Sequence, residues 1–273
     1  MNTRLPGRGN ALQVLRDAAF DSSLATKFSR VCRRWRHLCA SDDFYRRVEL
    51  RSLTGRTLFT GDASRRLKAL LEQPRYRSVC DVAADGVAMT PPVLSVLGET
   101  LSRLRSLSFT GCAAVNAEPI LDLLQSRPSI DTIDFSGSSS SSRLASPVSP
   151  KWIARILLAV SALTSLDLQS CKEFTTESLN LVAKHCTGLT LLNISYTDAK
   201  IDSQTVFGRL VSSTPSMRAF YSCGLSLPHD VHAIDKFSPL RWAGLQTISI
   251  GCQKPAHAAH HFQASQVRVV GWW

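Results

Sequence analysis

The sequence lacks long hydrophobic runs and any exported leader. Its longest largely apolar stretch, from Ile153 to Val160, is far shorter than the ~18 residues that a membrane-spanning helix needs. The basic N-terminus leads into no apolar segment of the kind found in secretory signals. We therefore expect a soluble protein of the cytoplasm, the nucleus or both, with no membrane partner.

The common catalytic motifs are also missing. There is no Walker phosphate-binding loop, no G-x-G-x-x-G, no H-E-x-x-H and no G-x-S-x-G. The tract formed by His257, His260 and His261 resembles a metal site only weakly, since it stands alone. We predict a protein that is not an enzyme and holds no cofactor or metal. A hydrolase or redox enzyme based on a cysteine stays open as a remote alternative.

Eight cysteines are present, but none forms a C-x-x-C pair. Cys112, Cys171 and Cys252 stand at the same place in a repeating pattern, near the end of an apolar strand. A small buried thiol packs well there, whereas a nucleophile or metal ligand needs a paired base or further ligands. In the absence of a secretory signal we expect reduced thiols.

The positive charge is concentrated in the first part of the chain. The net charge is +11, and residues 1–77 carry 17 Lys and Arg against 7 Asp and Glu, while residues 78–273 carry 15 against 14. Aromatic residues do not alternate with these arginines as they do in many single-strand binders. The pattern predicts an acidic protein partner, with phosphate as the weaker alternative, and no nucleic acid.

An apolar unit, L-x-x-L-x-L, returns along the chain at a nearly fixed interval. Its last two apolar positions are Leu107 and Phe109, Ile133 and Phe135, Leu166 and Leu168, Leu192 and Ile194, and Ile248 and Ile250, with Phe220 marking a copy in between. Repeats of this kind predict strand, loop and helix units that stack side by side. The predicted fold is an α/β leucine-rich-repeat solenoid, horseshoe-like, with about six or seven repeats.

Composition divides the chain into several regions. We predict a small all-helical module at residues 1–50, a linker at 51–75, the solenoid at 76–252 and an atypical or disordered tail at 253–273. A Ser-rich insertion at 136–150 interrupts the solenoid. Ser146 and Ser149 each precede proline there, which predicts phosphorylation at these two serines.

Side chains alternate between the two faces of a strand, so the residues between the apolar ones face outward on the concave side. These positions are mostly small and polar, with Tyr221 as the aromatic anchor for a partner. Most of them are equally compatible with simple hydration. The predicted substrate-binding residues are Ser108, Asp134, Asp167, Gln169, Asn193, Tyr221 and Ser249.

The N-terminal segment resembles the second half of an F-box. The resemblance rests on Leu24, on the run Val31-Cys32-Arg33-Arg34-Trp35 and on the run Ser41-Asp42-Asp43-Phe44, which leads to Val48. The repeats resemble the cysteine-containing leucine-rich subtype that follows F-boxes, carried by residues 163–194.

This resemblance implies the substrate-recognition subunit of an SCF-type ubiquitin ligase. The F-box would bind a Skp-type adaptor, and with it a cullin, while the solenoid binds an unknown target protein. The opening of the module departs from the family pattern, because Gly7-Arg8-Gly9 stands where an acidic helix start is expected. The alternative is a leucine-rich scaffold or inhibitor with a degenerate F-box. The implied adaptor-binding residues are Leu5, Pro6, Leu24, Val31, Cys32, Trp35 and Phe44.

Overall fold

A computed structural model shows one parallel sheet with helices between its strands. In the residues that it describes, the strands are Arg47–Glu49 (β1), Asp81–Ala83 (β2), Ser106–Ser108 (β3), Thr132–Asp134 (β4), Ser165–Asp167 (β5), Leu191–Asn193 (β6), Ala219–Ser222 (β7), Thr247–Ile250 (β8) and Arg268–Val269 (β9). The α-helices are Ala63–Leu71 (α1), Pro91–Thr100 (α2), Ala117–Ser126 (α3), Pro150–Ala159 (α4), Thr176–His185 (α5) and Gln204–Ser213 (α6). A 3-10 helix covers Pro74–Tyr76. The structure describes residues 33, 45–50, 63–84, 89–110, 112, 117–137, 150–160, 162–172, 174–199, 204–225, 244–250 and 268–269.

The nine strands follow one another across the sheet in chain order, and every neighbouring pair is parallel. Equivalent residues of successive repeats pair directly: Leu107 with Ile133, and Leu192 with Phe220, which pairs in turn with Ile248. The repeat pattern of the sequence is therefore confirmed, including the copy at Phe220. The chain has the architecture of a leucine-rich-repeat solenoid.

The core lies between the sheet and the helices. The middle residue of a typical strand is buried while the residues on either side of it are half-buried, as in β3, β4, β5 and β6. Helix α5 adds Leu179, Val182 and Ala183, which are spaced to share one helix face. Burying each large aliphatic side chain contributes about 1.5–3 kcal/mol, and stacking lets neighbouring repeats share one core.

The buried cysteines tie each repeat to an earlier one. Cys112 and Cys171 are fully buried, and their thiols donate to the carbonyl oxygens of Ala84 at 2.9 Å and Phe135 at 3.2 Å. Burial raises the pKa of Cys186 to about 12. These contacts confirm the packing role expected for Cys112 and Cys171, whereas Cys252 lies outside the described residues.

In four of the described repeats the chain leaves the sheet through a residue in the left-handed region. Gly137, Ser170, Tyr196 and Gly224 have φ angles of 65°, 64°, 59° and 72°, and each stands three positions after the third residue of its strand. Three of their N–H groups donate to the next repeat, to the carbonyl oxygens of Gln169, Ser195 and Cys223 at 2.7–2.9 Å. The turn thus bends the chain away while the hydrogen-bond ladder continues.

The sheet extends beyond the predicted solenoid at both ends. Strand β1 lies inside the segment predicted to be all-helical, and α1 lies inside the predicted linker, so the solenoid begins before residue 76. Tyr45, Val48 and Leu50 are buried and reproduce the repeat unit with an aromatic first member. Strand β9 lies within the predicted tail, which gives nine strands where six or seven repeats were expected.

Within the described residues, no helix combines the length and apolar character required to cross a membrane.

Candidate binding surface on the open face of the sheet

The face of the sheet opposite the helices is formed by the first and third residues of each strand, and we call it the open face. It corresponds to the concave side of the predicted solenoid. Direct register places Ser108, Asp134, Asp167, Asn193 and Tyr221 in one row on consecutive strands. Parallel strands are about 4.8 Å apart, so these side chains are near neighbours. Gln169, two positions after Asp167, accepts a hydrogen bond from the side-chain amide of Asn193 at 3.4 Å. Six of the seven predicted binding residues are therefore brought together here.

The acidic and amide side chains of this row first bind their own backbone. One side-chain oxygen of Asp134 accepts from the N–H of Ser136 at 2.8 Å. Asp167 accepts from Gln169 at 2.9 Å, and the side-chain carbonyl of Asn193 accepts from the residue two positions on at 3.1 Å. Each side chain forms a local turn in which Asp and Asn are favoured. One oxygen of each of these side chains therefore stabilises the turn that follows the strand.

The remaining oxygens connect neighbouring strands. The second carboxylate oxygen of Asp134 accepts from the hydroxyls of Ser108 at 3.2 Å and Thr110 at 3.1 Å. The second oxygen of Asp167 accepts from the amide of Asn193 at 3.0 Å. Because every carboxylate is held at both oxygens, the row presents fixed rather than freely rotating groups.

Between β2 and β8 the open face is acidic, although the chain as a whole is basic. In strands β2 to β8, its first and third strand positions include Asp81, Asp134 and Asp167 but no Lys or Arg. Burial raises the pKa of Asp167, as does the nearby charge of Asp134, while hydrogen bonds from Gln169 and Asn193 act in the opposite direction. A partner with positive charge therefore complements this part of the surface best.

Two tyrosines lie beside each other at strands β6 and β7. Tyr221 is half-buried on β7, and Tyr196 is 41% exposed at the left-handed turn after β6. The Tyr196 ring lies against Gly224, where a Cβ atom would stand 2.5 Å from its Cδ1 atom. Sequence reasoning did not single out Tyr196. The sequence did contain one signal: Tyr196 stands at the repeat position that glycine occupies in other repeats, at Gly137 and Gly224.

The prediction of an outward side chain is wrong at Ser249. This residue is only 2% exposed, and its hydroxyl lies 2.8 Å from the Sγ atom of Cys223. Strand alternation places Ser249 in the row, but neighbouring structure covers it. Ser249 is therefore not accessible to a partner in this structure.

The predicted adaptor-binding residues and phosphorylation sites fall outside the described residues. They are Leu5, Pro6, Leu24, Val31, Cys32, Trp35, Phe44, Ser146 and Ser149. Their roles stay predictions. No group of three or more His, Cys, Asp or Glu side chains suited to a metal ion occurs in the described part of the chain.

Comparison with known proteins gives only distant similarities. No family model and no curated protein match the chain. Among solved structures, internalin C2 from Listeria monocytogenes str. 4b F2365 is similar, with 14% identity over 72% of this chain and 73% of that one, at a TM-score of 0.41. A TLR13–ssRNA13 complex shows 13% identity over 64% of this chain and 23% of that one, also at 0.41. These scores support no functional argument, so the assignment of the fold rests on register and repeat pattern.

Proposed function

We propose that this chain binds a protein partner on the open face of its sheet. The observation that carries the proposal is the row of fixed polar side chains from Ser108 to Asn193, which ends at Tyr221. Side chains that are already ordered lose little conformational entropy when a partner binds. Tyrosine beside such a row is a common anchor of protein interfaces. The chain contributes recognition, and any chemistry belongs to its partners.

More specifically, we propose a substrate-recognition subunit of an SCF-type ubiquitin ligase. The resemblance of the segment around Val31, Cys32 and Trp35 to an F-box supports this role, in which that segment binds a Skp-type adaptor and a cullin joins through it. The open face would then hold the target protein, in the cytoplasm or nucleus. The solenoid supports this proposal only by offering a binding surface, because its fold is not specific to ligases.

Co-purification from cells tests the ligase assignment. Tagged protein is expected to bring down a Skp-type adaptor and a cullin, and Trp35→Ala is expected to lose both. Tyr221→Ala serves as the matched control, because it changes an aromatic residue of the open face and should leave adaptor binding intact. Absence of adaptor and cullin from the unaltered protein would reject the ligase role.

The target-binding role of the face is tested separately. Asp134→Asn keeps an oxygen for the turn at Ser136 but removes the charge, and Tyr221→Ala removes the aromatic ring. Both variants should lose a shared set of co-purified proteins while they retain the adaptor. If the same proteins remain bound to both variants, the open face is not the recognition surface.

The second candidate is a leucine-rich scaffold or inhibitor that has lost adaptor binding. The departure at Gly7-Arg8-Gly9 from an acidic helix start favours it. Measuring the binding of the full chain, with residues 1–50 intact, to purified adaptor separates the ligase role from the scaffold role. Loss of partners on Tyr221→Ala in a protein that never binds adaptor would support the scaffold.

A further inference from the structure

A basic hollow lies at the edge of the sheet where the strands begin, away from the left-handed turns. Its volume is about 460 Å³, and it is open to solvent. Among the described residues that line it, none is acidic. They are Arg46, Arg103, Arg105, Ser78, Ser102, Ser129 and Cys80.

Strand register explains why these arginines converge. The N–H groups of Cys80 and Asp81 donate to the carbonyl oxygen of Arg46, and those of Arg105 and Ser106 donate to that of Cys80. Arg46 and Arg105 therefore flank Cys80 two strand spacings apart, roughly 10 Å. The small cysteine side chain leaves space between two long arginines. Arg103 approaches from the turn after α2.

Two arginines of the hollow, Arg105 and Arg103, differ in how they are paired among the described residues. One carboxylate oxygen of Asp131 accepts from Nε of Arg105 at 3.0 Å and from its Nη2 as well. That pairing uses two of the five N–H donors of the guanidinium. Arg103 is exposed and makes no hydrogen bond or ion pair with the described residues. Arginine stays charged at any physiological pH, so Arg103 brings to the hollow a positive charge that no described residue pairs.

A purely structural explanation accounts for a neighbouring arginine but not for Arg103. Helices α2 and α3 end at this edge, and their unpaired carbonyl oxygens favour nearby cations. Arg127 fills that role, since its Nε donates to the carbonyl oxygen of Gly98 at 2.8 Å. Among the described residues, Arg103 makes no comparable contact with a helix end, so its charge is available to a ligand.

We propose that this hollow binds a phosphate monoester. A phosphate group offers a double negative charge and three acceptor oxygens, which several guanidinium groups can bind with paired hydrogen bonds. The open shape leaves room for the molecule to which the phosphate is attached. Its source is either a phosphorylated side chain of a protein or a free phosphate. This site is separate from the open face and does not depend on the ligase role.

Fluorescence anisotropy with the full chain tests the proposal. The probes are a fluorescein-labelled peptide with one phosphoserine between glycines and the same peptide with serine, at constant ionic strength. Phosphopeptide should bind at least about tenfold more tightly, and Arg103→Ala should weaken it about tenfold, as expected for loss of a charge-assisted contact. Circular dichroism confirms that each variant is folded.

Arg209→Ala is the matched control, because it removes the same charge from another exposed arginine. Arg209 contacts Asn180 on the helical side of the chain. This variant should change phosphopeptide affinity less than twofold. Equal losses in both variants, or equal binding of both peptides, would overturn the site. Competition then identifies the source: inorganic phosphate as tight as the peptide indicates a free ion, and much weaker phosphate indicates a phosphorylated protein.

Discussion

Replacing Gly224 with alanine should lower the free energy of unfolding by about 1–5 kcal/mol. Gly224 has a φ of +72°, and a side chain in that left-handed region costs about 1–2 kcal/mol. A new Cβ would also stand 2.5 Å from Cδ1 and 2.8 Å from Cε1 of Tyr196. The displacement of that ring adds about 1–3 kcal/mol. The reduced freedom of the unfolded chain offsets ~0.4–1 kcal/mol.

Urea unfolding followed by circular dichroism measures this loss. Gly188→Ala is the matched control, since its φ is not in the left-handed region and its added Cβ would meet only the carbonyl oxygen of Leu163 at an ordinary 3.7 Å. We expect that control to change stability by less than about 1 kcal/mol. A loss for Gly224→Ala no larger than the control would refute the reasoning.

A second background separates backbone strain from the contact with the ring. In Tyr196→Ala protein the clash is gone, so Gly224→Ala should cost only the ~1–2 kcal/mol of the left-handed backbone, less the same ~0.4–1 kcal/mol from the unfolded chain. The coupling between the two positions should thus be about 1–3 kcal/mol. Because Tyr196 is 41% exposed, the ring can turn toward solvent, which favours the lower part of that range. Zero coupling would show that the ring does not occupy this place.

Three further predictions concern single side chains. Tyr76→Phe should leave the urea midpoint unchanged or raise stability by about 1 kcal/mol, because the Tyr76 hydroxyl is buried without a hydrogen-bond partner in the described chain; a clear loss would contradict this. Since burial raises the folded-state pKa of Cys186 to about 12, its stabilising contribution is complete below pH 9 and is lost as pH rises from 9 to 12. Stability measured across that window should therefore fall more steeply than in Cys186→Ala, and parallel curves would be inconsistent with a buried thiol. For Asp167 the folded-state pKa is also raised, so relative to Asp167→Asn the protein should be most stable below about pH 4 and lose that advantage as pH rises; an opposite slope in acid unfolding curves would count against it.

The repeat pattern could be predicted because it is local. A strand with one buried face is recognised by the alternation of apolar and polar residues along it. Ile133 and Leu166 follow that pattern, which involves only their sequence neighbours. The first repeat was missed, since Tyr45 replaces the usual leucine and lies in a segment rich in arginine. The position of Ser249 was wrong because alternation gives the direction of a side chain and not what covers it.

The site was only partly visible in the sequence. Alternation placed Asp134 and Asp167 on the correct face, yet it could not show that they are adjacent in register across a Ser-rich insertion. The basic hollow was even harder to predict from the sequence. Arg46 and Arg105 are distant in the sequence and come to line one hollow only through the pairing of β1, β2 and β3. The register between distant strands depends on the whole sheet and could not be predicted from the sequence alone.

The same side chains shape the strand exits and form the proposed recognition surface, which limits how the surface can vary. Asp134 uses one oxygen for its turn and shares the other with Ser108 and Thr110, so replacing it with a residue that lacks an acceptor disturbs the strand end as well as the charge. Asparagine preserves the turn, as Asn193 does in its own repeat. Charge on this face can therefore change by exchange of Asp and Asn at little structural cost. Partner preference can be tuned along the row while the solenoid stays intact.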